Sequence, residues 1–545
     1  MSTAEDLASV TWDVVVVGTG MGGGTLGHEL ARLGRRVLFL EKGHANLDRA
    51  PTITGGYPEE AFDLARVTDT ERDQHLARGG RNTEWFEDTT PGARPKPFRP
   101  IVGSGVGGSS ALYGMVTERF FREDFTPREN FGDTGDSTVP EAWPVKYDEL
   151  VPWYQKAERL YRVRGTADPL RPDDDTDALL PPGPVTAANA ALAEHLVERG
   201  MSPYGLHVAC EYLDDCQACQ TFLCASGCKN HAGNICVEPA VRAYGARLLD
   251  RTTAVRVEAT RTRVTGVVAR RDGRTHVFRG RVVVVAASAL MTPVLLLNSA
   301  SREWPRGLAN GNDLVGRNLM RHFVDVYLFR AGPGEPVRGQ VKELSVNDLY
   351  RVDGEKYGTF QSMGHVPPYA FLMNSTRGNR RLLGPLRPLA DRRWKPSVQE
   401  RFVTMAAIME DLPYADNRVL PGPGSTEGRG PTLELRYTVG APDRRRHREF
   451  TRLLRARLGR RPGSWLPPIR LSGADMNSAL GHQCGTCRFG DDPRTSVLDP
   501  DNRAWGVDNL YVVDTSMLPS SGGINPSLTI AANALRVGHV IHGTL

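Results

Sequence analysis

The sequence lacks any long apolar run. Among its 545 residues, the longest apolar stretches lie at 14–17 and 282–287. Both have the length of a strand, whereas a helix that spans a membrane needs about 20 apolar residues. The N-terminus also lacks the basic start of a secretion signal and carries Glu5 and Asp6 instead. We therefore expect a cytoplasmic protein with no membrane partner.

A strong excess of one charge is missing as well. The formal net charge of +5 is small for a chain of this length. A basic run at 444–448 contains no interleaved aromatic residue, which is typical of a solvated helix face and not of a nucleic-acid-binding surface. We expect no nucleic-acid partner, and the sequence leaves the oligomeric state open.

The N-terminal segment predicts a nucleotide-binding βαβ unit of the Rossmann type. A β-branched apolar run at 12–17 has the pattern of a buried parallel strand. A glycine turn follows, then a helix from about 23 to 33, and a second strand at 35–40. We therefore expect an α/β fold, and the length of the chain predicts two domains.

The glycines of this turn have separate roles. Gly18 permits the tight turn, Gly20 lets the backbone approach a pyrophosphate, and Gly23 allows close packing of the helix on the strand. The helix N-terminus favours the phosphate charge. Glu41 follows at the spacing of an acid that accepts hydrogen bonds from an adenosine ribose. The alternative is a glycine-rich turn without a ligand.

A second glycine cluster at 103–110 bears on which dinucleotide is bound. The first motif alone does not distinguish FAD from NAD. A second loop of backbone amide donors suits a large, flat and anionic cofactor, which favours FAD. By itself the cluster is also compatible with a flexible hinge.

The chain resembles the glucose–methanol–choline (GMC) oxidoreductases, a family of FAD-dependent enzymes. The most specific part of the resemblance is the C-terminal segment 482–538, which contains His482, the run 512–516 and the pair Asn525-Pro526 in the family's order. The resemblance also covers the N-terminal glycine motif and several internal segments, namely 103–115, 143–144, 282–297, 313–322 and 410–419.

The resemblance implies a Rossmann-like FAD-binding domain and a second, sheet-based substrate-binding domain. We predict that 1–330 and 470–545 form the first domain, with an irregular insertion at 45–100 and a cysteine-rich segment at 210–236. Residues 331–469 contain strand-like runs and are predicted to form the second domain.

The resemblance also implies which residues contact FAD. They belong to the two glycine segments, an adenine-contacting position and the C-terminal segment: Gly18, Gly20, Met21, Gly22, Gly23, Glu41, Gly103, Gly105, Gly108, Ser109, Tyr113, Gly114, Val255, Asp514, Pro526 and Thr529. Some members attach FAD covalently through a histidine in the second glycine loop. Leu112 occupies that position here, so we predict non-covalent FAD. Tyr113 stands where an asparagine is often found.

The C-terminal segment predicts alcohol oxidation. Removal of hydride from a carbinol carbon is easier when the hydroxyl proton leaves too, and an imidazole is suited to accept that proton. The resemblance gives this role to His482, and it places Asn525 where it hydrogen-bonds the substrate oxygen. An amide is no base at neutral pH, so His482 is expected to take the proton. A purely structural histidine is the alternative.

The cysteine-rich segment has three interpretations. Its four cysteines are spaced as Cys216-x2-Cys219-x4-Cys224-x3-Cys228. An iron–sulfur cluster would pass electrons out of the flavin, and a zinc site is possible by ligand type. Thiols or partial disulfides in a structural loop are the favoured interpretation, and we predict no metal.

The leading hypothesis is an FAD-dependent alcohol oxidase or dehydrogenase that delivers electrons to O2 or another acceptor. The alternatives are a dehydrogenase that passes electrons through an iron–sulfur cluster to a partner, and a non-catalytic flavin-binding protein. We expect a small polar alcohol such as a polyol, sugar or amino sugar, because relatives oxidise hydroxymethyl groups of aminoglycosides in antibiotic biosynthesis. Glu410, Asp411 and Asp416 either suit a cationic sugar or are ordinary surface charges, and the second interpretation is favoured for each of them.

Overall fold

The structure, a computed structural model, describes residues 3–45, 52–63, 66–214, 216–332, 337, 339, 341–375, 394, 398–427, 432–459, 469–471 and 481–545. The predicted α/β fold is confirmed. One large sheet is mainly parallel, and a second large sheet is antiparallel. None of the helices in the described parts of the chain combines the length and the apolar character that a bilayer crossing requires.

The large parallel sheet joins the two ends of the chain. Its strands, in spatial order, are Arg247–Leu249, Val37–Leu40, Thr11–Val17, Arg274–Val285, Val264–Arg271 and Thr253–Ala259, and Leu510–Val512 also pairs with Arg274–Val285. The first three and the C-terminal strand run parallel to their partners, whereas the last two pairings are antiparallel. The N-terminal strand is almost wholly buried, as its unbroken valine run predicts.

Helices cover this sheet and connect its two ends. The helix Met21–Arg32 follows the glycine turn and packs against the C-terminal helix Ser527–Thr544, which in turn packs against Tyr147–Tyr161. Other helices in the described chain are Ala4–Ala8, Ala187–Glu198, Glu238–Ala243, Ser288–Asn298, Tyr369–Ser375 and Gly424–Glu427. Short helical turns lie at Pro58–Ala61, Gly108–Ala111, Arg122–Phe125, Pro127–Asn130, Gly233–Val237 and Thr515–Met517.

The second large sheet is antiparallel. Its strands, in spatial order, are Ile469–Leu471, Phe323–Arg330, Phe402–Met409, Gly358–Gly364, Leu344–Val346 and Tyr204–Gly205. Side chains along Phe323–Arg330 alternate between buried and half-buried, and the buried ones pack with Phe450 and Leu454 of the helix Ala441–Leu458. The sheet takes strands from both sides of the predicted boundary at 330, so the division into two domains stays a prediction.

The segment 45–100, for which the sequence indicated no regular structure, contains a helix and two strands. The helix Asp69–Arg78 begins with a capping box formed by Thr68 and Glu71. The strands Phe86–Asp88 and Lys96–Phe98 belong to a third sheet, together with Arg418–Pro421 and Leu433–Arg436. Three-residue strands are too short to show a periodicity, which explains why the sequence did not reveal them. A two-stranded ribbon is formed by Arg351–Val352 and Glu355–Lys356.

Close packing between the two ends of the chain can be tested at Gly22. A β-carbon there would overlap the carbonyl oxygen of Val513, whereas one at Gly20 would meet no atom of the described residues within 4 Å. We expect Gly22→Ser to destabilise the FAD-free protein by about 1–3 kcal/mol, because overpacking forces backbone shifts. The matched control Gly20→Ser keeps a favourable helix N-cap and should leave the thermal midpoint unchanged. Equal midpoints for both variants would contradict the packing argument.

Candidate active site

A cavity of about 500 Å³ lies where the parallel strands end. Most of the predicted site residues form its wall: Gly18, Gly20, Met21, Gly22, Glu41, Gly103, Gly108, Ser109, Tyr113, Gly114, Val255, Asp514, Pro526, His482 and Asn525. Three others lie behind this wall. Gly23 packs against Gly18 and Ala286, Gly105 lies against Gly43, and the Thr529 hydroxyl is 2.8 Å from that of Tyr154.

The glycine turn and Glu41 form one hydrogen-bonded unit. Gly18 has a φ of +97°, which requires glycine, and the next helix begins at Met21 with its N-terminus towards the cavity. Glu41 accepts hydrogen bonds from the Thr19 hydroxyl at 2.6 Å and from the Gly43 amide at 2.9 Å. The turn is therefore held in shape by the same acid that the sequence assigns to a ribose.

The second glycine cluster is attached to the first through Thr19. The Gly107 amide donates to the Thr19 hydroxyl at 3.3 Å. The Ser110 hydroxyl donates to the carbonyl of Gly107 at 2.6 Å and accepts from the Ala232 amide at 3.1 Å. Thr19 carries no side-chain role in the sequence motif, so only the structure reveals that it joins the two glycine segments.

Asp514 organises the C-terminal side of the cavity. Its carboxylate accepts hydrogen bonds from the Ser516 amide at 2.8 Å, the Ser288 amide at 2.9 Å and the Thr292 hydroxyl. Burial raises the pKa of Asp514, opposed by these bonds. The residue ties the end of the C-terminal strand to the start of the helix Ser288–Asn298, where Ser288 has a φ of +86°.

His482 and Asn525 meet in the cavity wall, as the sequence predicts for a catalytic pair. The Nε2 atom of His482 is 3.2 Å from Nδ2 of Asn525. Burial lowers the pKa of His482 to about 3, and the neighbouring His322 and Lys342 add to this effect. The imidazole is therefore uncharged at neutral pH, and one of its ring nitrogens keeps a lone pair.

The structure adds His322, to which the sequence assigned no role although it ends the matched segment 313–322. Its Nδ1 atom is 2.8 Å from Nδ1 of His482, and its Nε2 atom is 2.8 Å from the carbonyl oxygen of Gly522 and 3.1 Å from that of Ser521. Burial lowers the pKa of His322 to about 4. The two histidines are 160 residues apart in the sequence, so only the folded structure reveals this contact.

Buried polar groups hold the loop that leads to Asn525. The Gly522 amide donates to Glu410 at 3.0 Å, and the Gly523 amide donates to the Tyr350 hydroxyl at 2.9 Å. Lys356 forms ion pairs with both Glu410 and Asp124, and all three side chains are at most 1% exposed. The loop therefore rests on a buried ionic network.

The acidic residues considered for a cationic substrate lie elsewhere than in the cavity wall. Glu410 belongs to the buried network, and Asp411 accepts hydrogen bonds from the Arg321 amide and the Tyr437 hydroxyl. Asp416 is fully exposed and lies 3.7 Å from Arg317. The expectation of surface charges is therefore wrong for Glu410 and Asp411, which are buried by the surrounding fold, and it fits Asp416.

The cysteines of 210–236 are packed close together. Sγ of Cys210 lies 3.6 Å from that of Cys216, and the hydrogen bond from Cys210 lowers the pKa of the Cys216 thiol to about 6. A hydrogen bond from Cys219 lowers the pKa of Cys224 to about 5. All eight cysteines are free thiols. Within the described ranges no group of three or more His, Cys, Asp or Glu residues is arranged to hold a metal ion, so the iron–sulfur hypothesis gains no support there.

A glycine-rich cavity at the ends of parallel strands, with an uncharged imidazole and an amide in its wall, is typical of dinucleotide-dependent oxidoreductases.

Known proteins are similar to this chain along most of its length. The family models of GMC oxidoreductases match residues 15–324 and 413–534. The chain therefore belongs to the GMC oxidoreductases and is an oxidoreductase that acts on alcohol groups.

Two similar relatives come from Streptomyces. The chain is 31% identical to paromamine 6'-oxidase of Streptomyces fradiae, and the match covers 98% of this chain and 92% of the relative. It is 29% identical to 6'''-hydroxyparomomycin C oxidase of Streptomyces lividus with the same coverage.

Solved structures show the same fold at low sequence identity. Pyridoxine 4-oxidase from Mesorbium loti has a TM-score of 0.65 at 20% identity, over 98% of this chain and 99% of that one. Formate oxidase of Aspergillus oryzae, whose structures address modification of its FAD, has a TM-score of 0.67 at 16% identity, over 98% of both chains.

The buried network below the Asn525 loop gives a testable prediction. In Lys356→Met, the carboxylates of Asp124 and Glu410 lose their buried cation, so we expect a destabilisation of about 3–5 kcal/mol. Chemical unfolding measures this change. Arg494→Met, which breaks a surface pair with Asp492, is the control and should leave the midpoint unchanged. A Lys356→Met protein as stable as this control would show that the network does not support the fold.

Proposed function

We propose that the protein oxidises a hydroxyl of an amino sugar to a carbonyl with non-covalently bound FAD. The observation that carries this proposal is the His482–Asn525 pair in the wall of a cavity that also contains Glu41 and the glycine turn. When bound, FAD supplies a hydride acceptor. A division into an FAD-binding and a substrate-binding domain remains part of the proposal.

The cavity wall fits such a cofactor in its chemistry. The turn at Gly18 and the helix that begins at Met21 offer backbone amides to a pyrophosphate, and Glu41 offers carboxylate oxygens to a ribose. Val255 lies in the same wall at the position proposed for adenine. Leu112 has no nucleophilic atom for a covalent link, which supports non-covalent binding.

His482 and Asn525 would divide the work on the alcohol. The uncharged imidazole accepts the hydroxyl proton, and the Asn525 amide hydrogen-bonds the substrate oxygen and orients the carbinol. Oδ1 of Asn525 does not serve as a base, because an amide oxygen does not take up a proton at neutral pH. A protein that only binds flavin would have no need for this pair.

The relatives favour an amino sugar as the substrate class. The two Streptomyces enzymes are named for the oxidation of paromamine and of 6'''-hydroxyparomomycin C, and each matches nearly the whole chain. A role in antibiotic biosynthesis follows as part of the proposal. We propose O2 or another electron acceptor as the oxidant of the reduced flavin.

Replacement of the proposed base tests the catalytic assignment. We expect His482→Ala to retain FAD, because the pyrophosphate and ribose contacts are untouched, and to slow anaerobic flavin reduction by about 10²–10⁴-fold. Stopped-flow absorbance measures the rate, and the absorbance of acid-released flavin measures FAD content. His539→Ala, a change on the C-terminal helix at a 40% exposed side chain, is the control and should reduce flavin at the normal rate. Fast reduction by His482→Ala would remove His482 from the mechanism.

A substrate panel tests the substrate class and the acceptor together. We expect paromamine to bleach the flavin anaerobically faster than a neutral sugar or a simple alcohol at the same concentration. Admission of air should then restore the flavin colour, with one peroxide per flavin if O2 is the acceptor. Faster bleaching by the neutral compounds would contradict the amino-sugar proposal, and a flavin that stays reduced in air would point to another acceptor.

A further inference from the structure

The contact between His322 and His482 fixes the positions of the ring protons. Nε2 of His322 faces two carbonyl oxygens, those of Gly522 and Ser521, at 2.8 and 3.1 Å. Carbonyl oxygens only accept hydrogen bonds, so Nε2 of His322 must carry a proton and donate it. In a neutral imidazole the other nitrogen then has a free lone pair. Nδ1 of His322 is therefore an acceptor.

The same reasoning extends to His482. Its Nδ1 atom lies 2.8 Å from the acceptor Nδ1 of His322, so Nδ1 of His482 is the donor. Nε2 of His482 is then left with its lone pair. The position of Asn525 agrees, because its Nδ2 group donates to that nitrogen at 3.2 Å. Burial keeps both rings neutral, with lowered pKa values of about 4 for His322 and about 3 for His482.

We propose that His322 is a positioning residue that holds His482 in the tautomer whose Nε2 can accept the substrate's hydroxyl proton. The inference rests on the proposed function, in which His482 is the base. The step that it serves moves one proton: the substrate O–H bond breaks and an N–H bond forms at Nε2 of His482. The resulting imidazolium keeps its Nδ1 proton, and the lone pair of His322 stabilises the new charge.

The surrounding network explains why His322 keeps its own orientation. The two carbonyl groups that it contacts belong to the loop 521–523, whose amides and hydroxyl are bound by Glu410, Asp411 and Tyr350. The loop thus fixes which nitrogen of His322 carries a proton, and His322 in turn fixes which nitrogen of His482 carries one. This assignment does not depend on the electron acceptor.

A double-mutant cycle tests the inference. We expect His322→Phe, which has no acceptor, to slow anaerobic flavin reduction by about 10–100-fold, the range found when a metal-bound histidine loses the group that orients it. His322→Asn keeps an acceptor near the position of Nδ1 and should recover most of the rate. If His322 acts through His482, His322→Phe should slow His482→Ala no further. Multiplied effects in the double variant, or a His322→Phe rate equal to that of the unaltered protein, would overturn the inference.

The cycle separates this inference from the proposed function. Fast flavin reduction by His482→Ala alone would reject the proposed base, whereas a slow His482→Ala with a normal His322→Phe would reject only the role of His322. His322→Leu replaces His322→Phe if the latter does not bind FAD.

A direct readout needs neither activity nor a substitution at His322. Solid-state NMR of the histidine-labelled protein distinguishes the two neutral tautomers by the ring carbon and nitrogen shifts, and the resonances of His482 are those lost in His482→Ala. We expect the Nδ1–H tautomer at His482. Observation of the Nε2–H tautomer would overturn the inference, whatever the kinetic results.

Discussion

The site depends on the pairing of the strand Leu510–Val512 with Arg274–Val285, which also pairs with the N-terminal strand Thr11–Val17. This shared neighbour places the C-terminal segment beside the first glycine turn. The two segments approach each other so closely that even a β-carbon at Gly22 would overlap the backbone of Val513. Buried strands that hydrogen-bond on both edges leave little freedom for the connected loops. The cavity between them is therefore a consequence of sheet order.

A second constraint comes from the antiparallel sheet. Lys356 and Glu410 adjoin its strands Gly358–Gly364 and Phe402–Met409, and through them the loop before Asn525 is attached to this sheet. Removing one member of a buried ion pair leaves an uncompensated charge, so such a network tolerates few local rearrangements. The geometry at His482 thus depends on both sheets, although His482 itself does not directly follow a strand of either sheet.

Local patterns predicted much of the framework. The valine run at 12–17, the glycine turn and Glu41 predicted the first βαβ unit, whose helix begins at Met21. The strand Phe402–Met409 lies in the region 331–469, for which the sequence indicated strand-like runs. The predictions had less success where elements are short or where burial comes from distant partners. Phe86–Asp88 is three residues long, and its pairing partner Leu433–Arg436 lies more than 300 residues away.

The sequence by itself determined the α/β class, the GMC family and the residue types of the site, because strand patterns, glycine spacing and the His482 and Asn525 motif are local in the chain. Only the tertiary structure decided that Thr19 joins the two glycine segments, that Glu410 and Asp411 are buried supports, and that His322 faces His482. These contacts join residues far apart in sequence. The direction of each hydrogen bond depends on which acceptors the folded backbone places nearby, and no local sequence pattern encodes that placement.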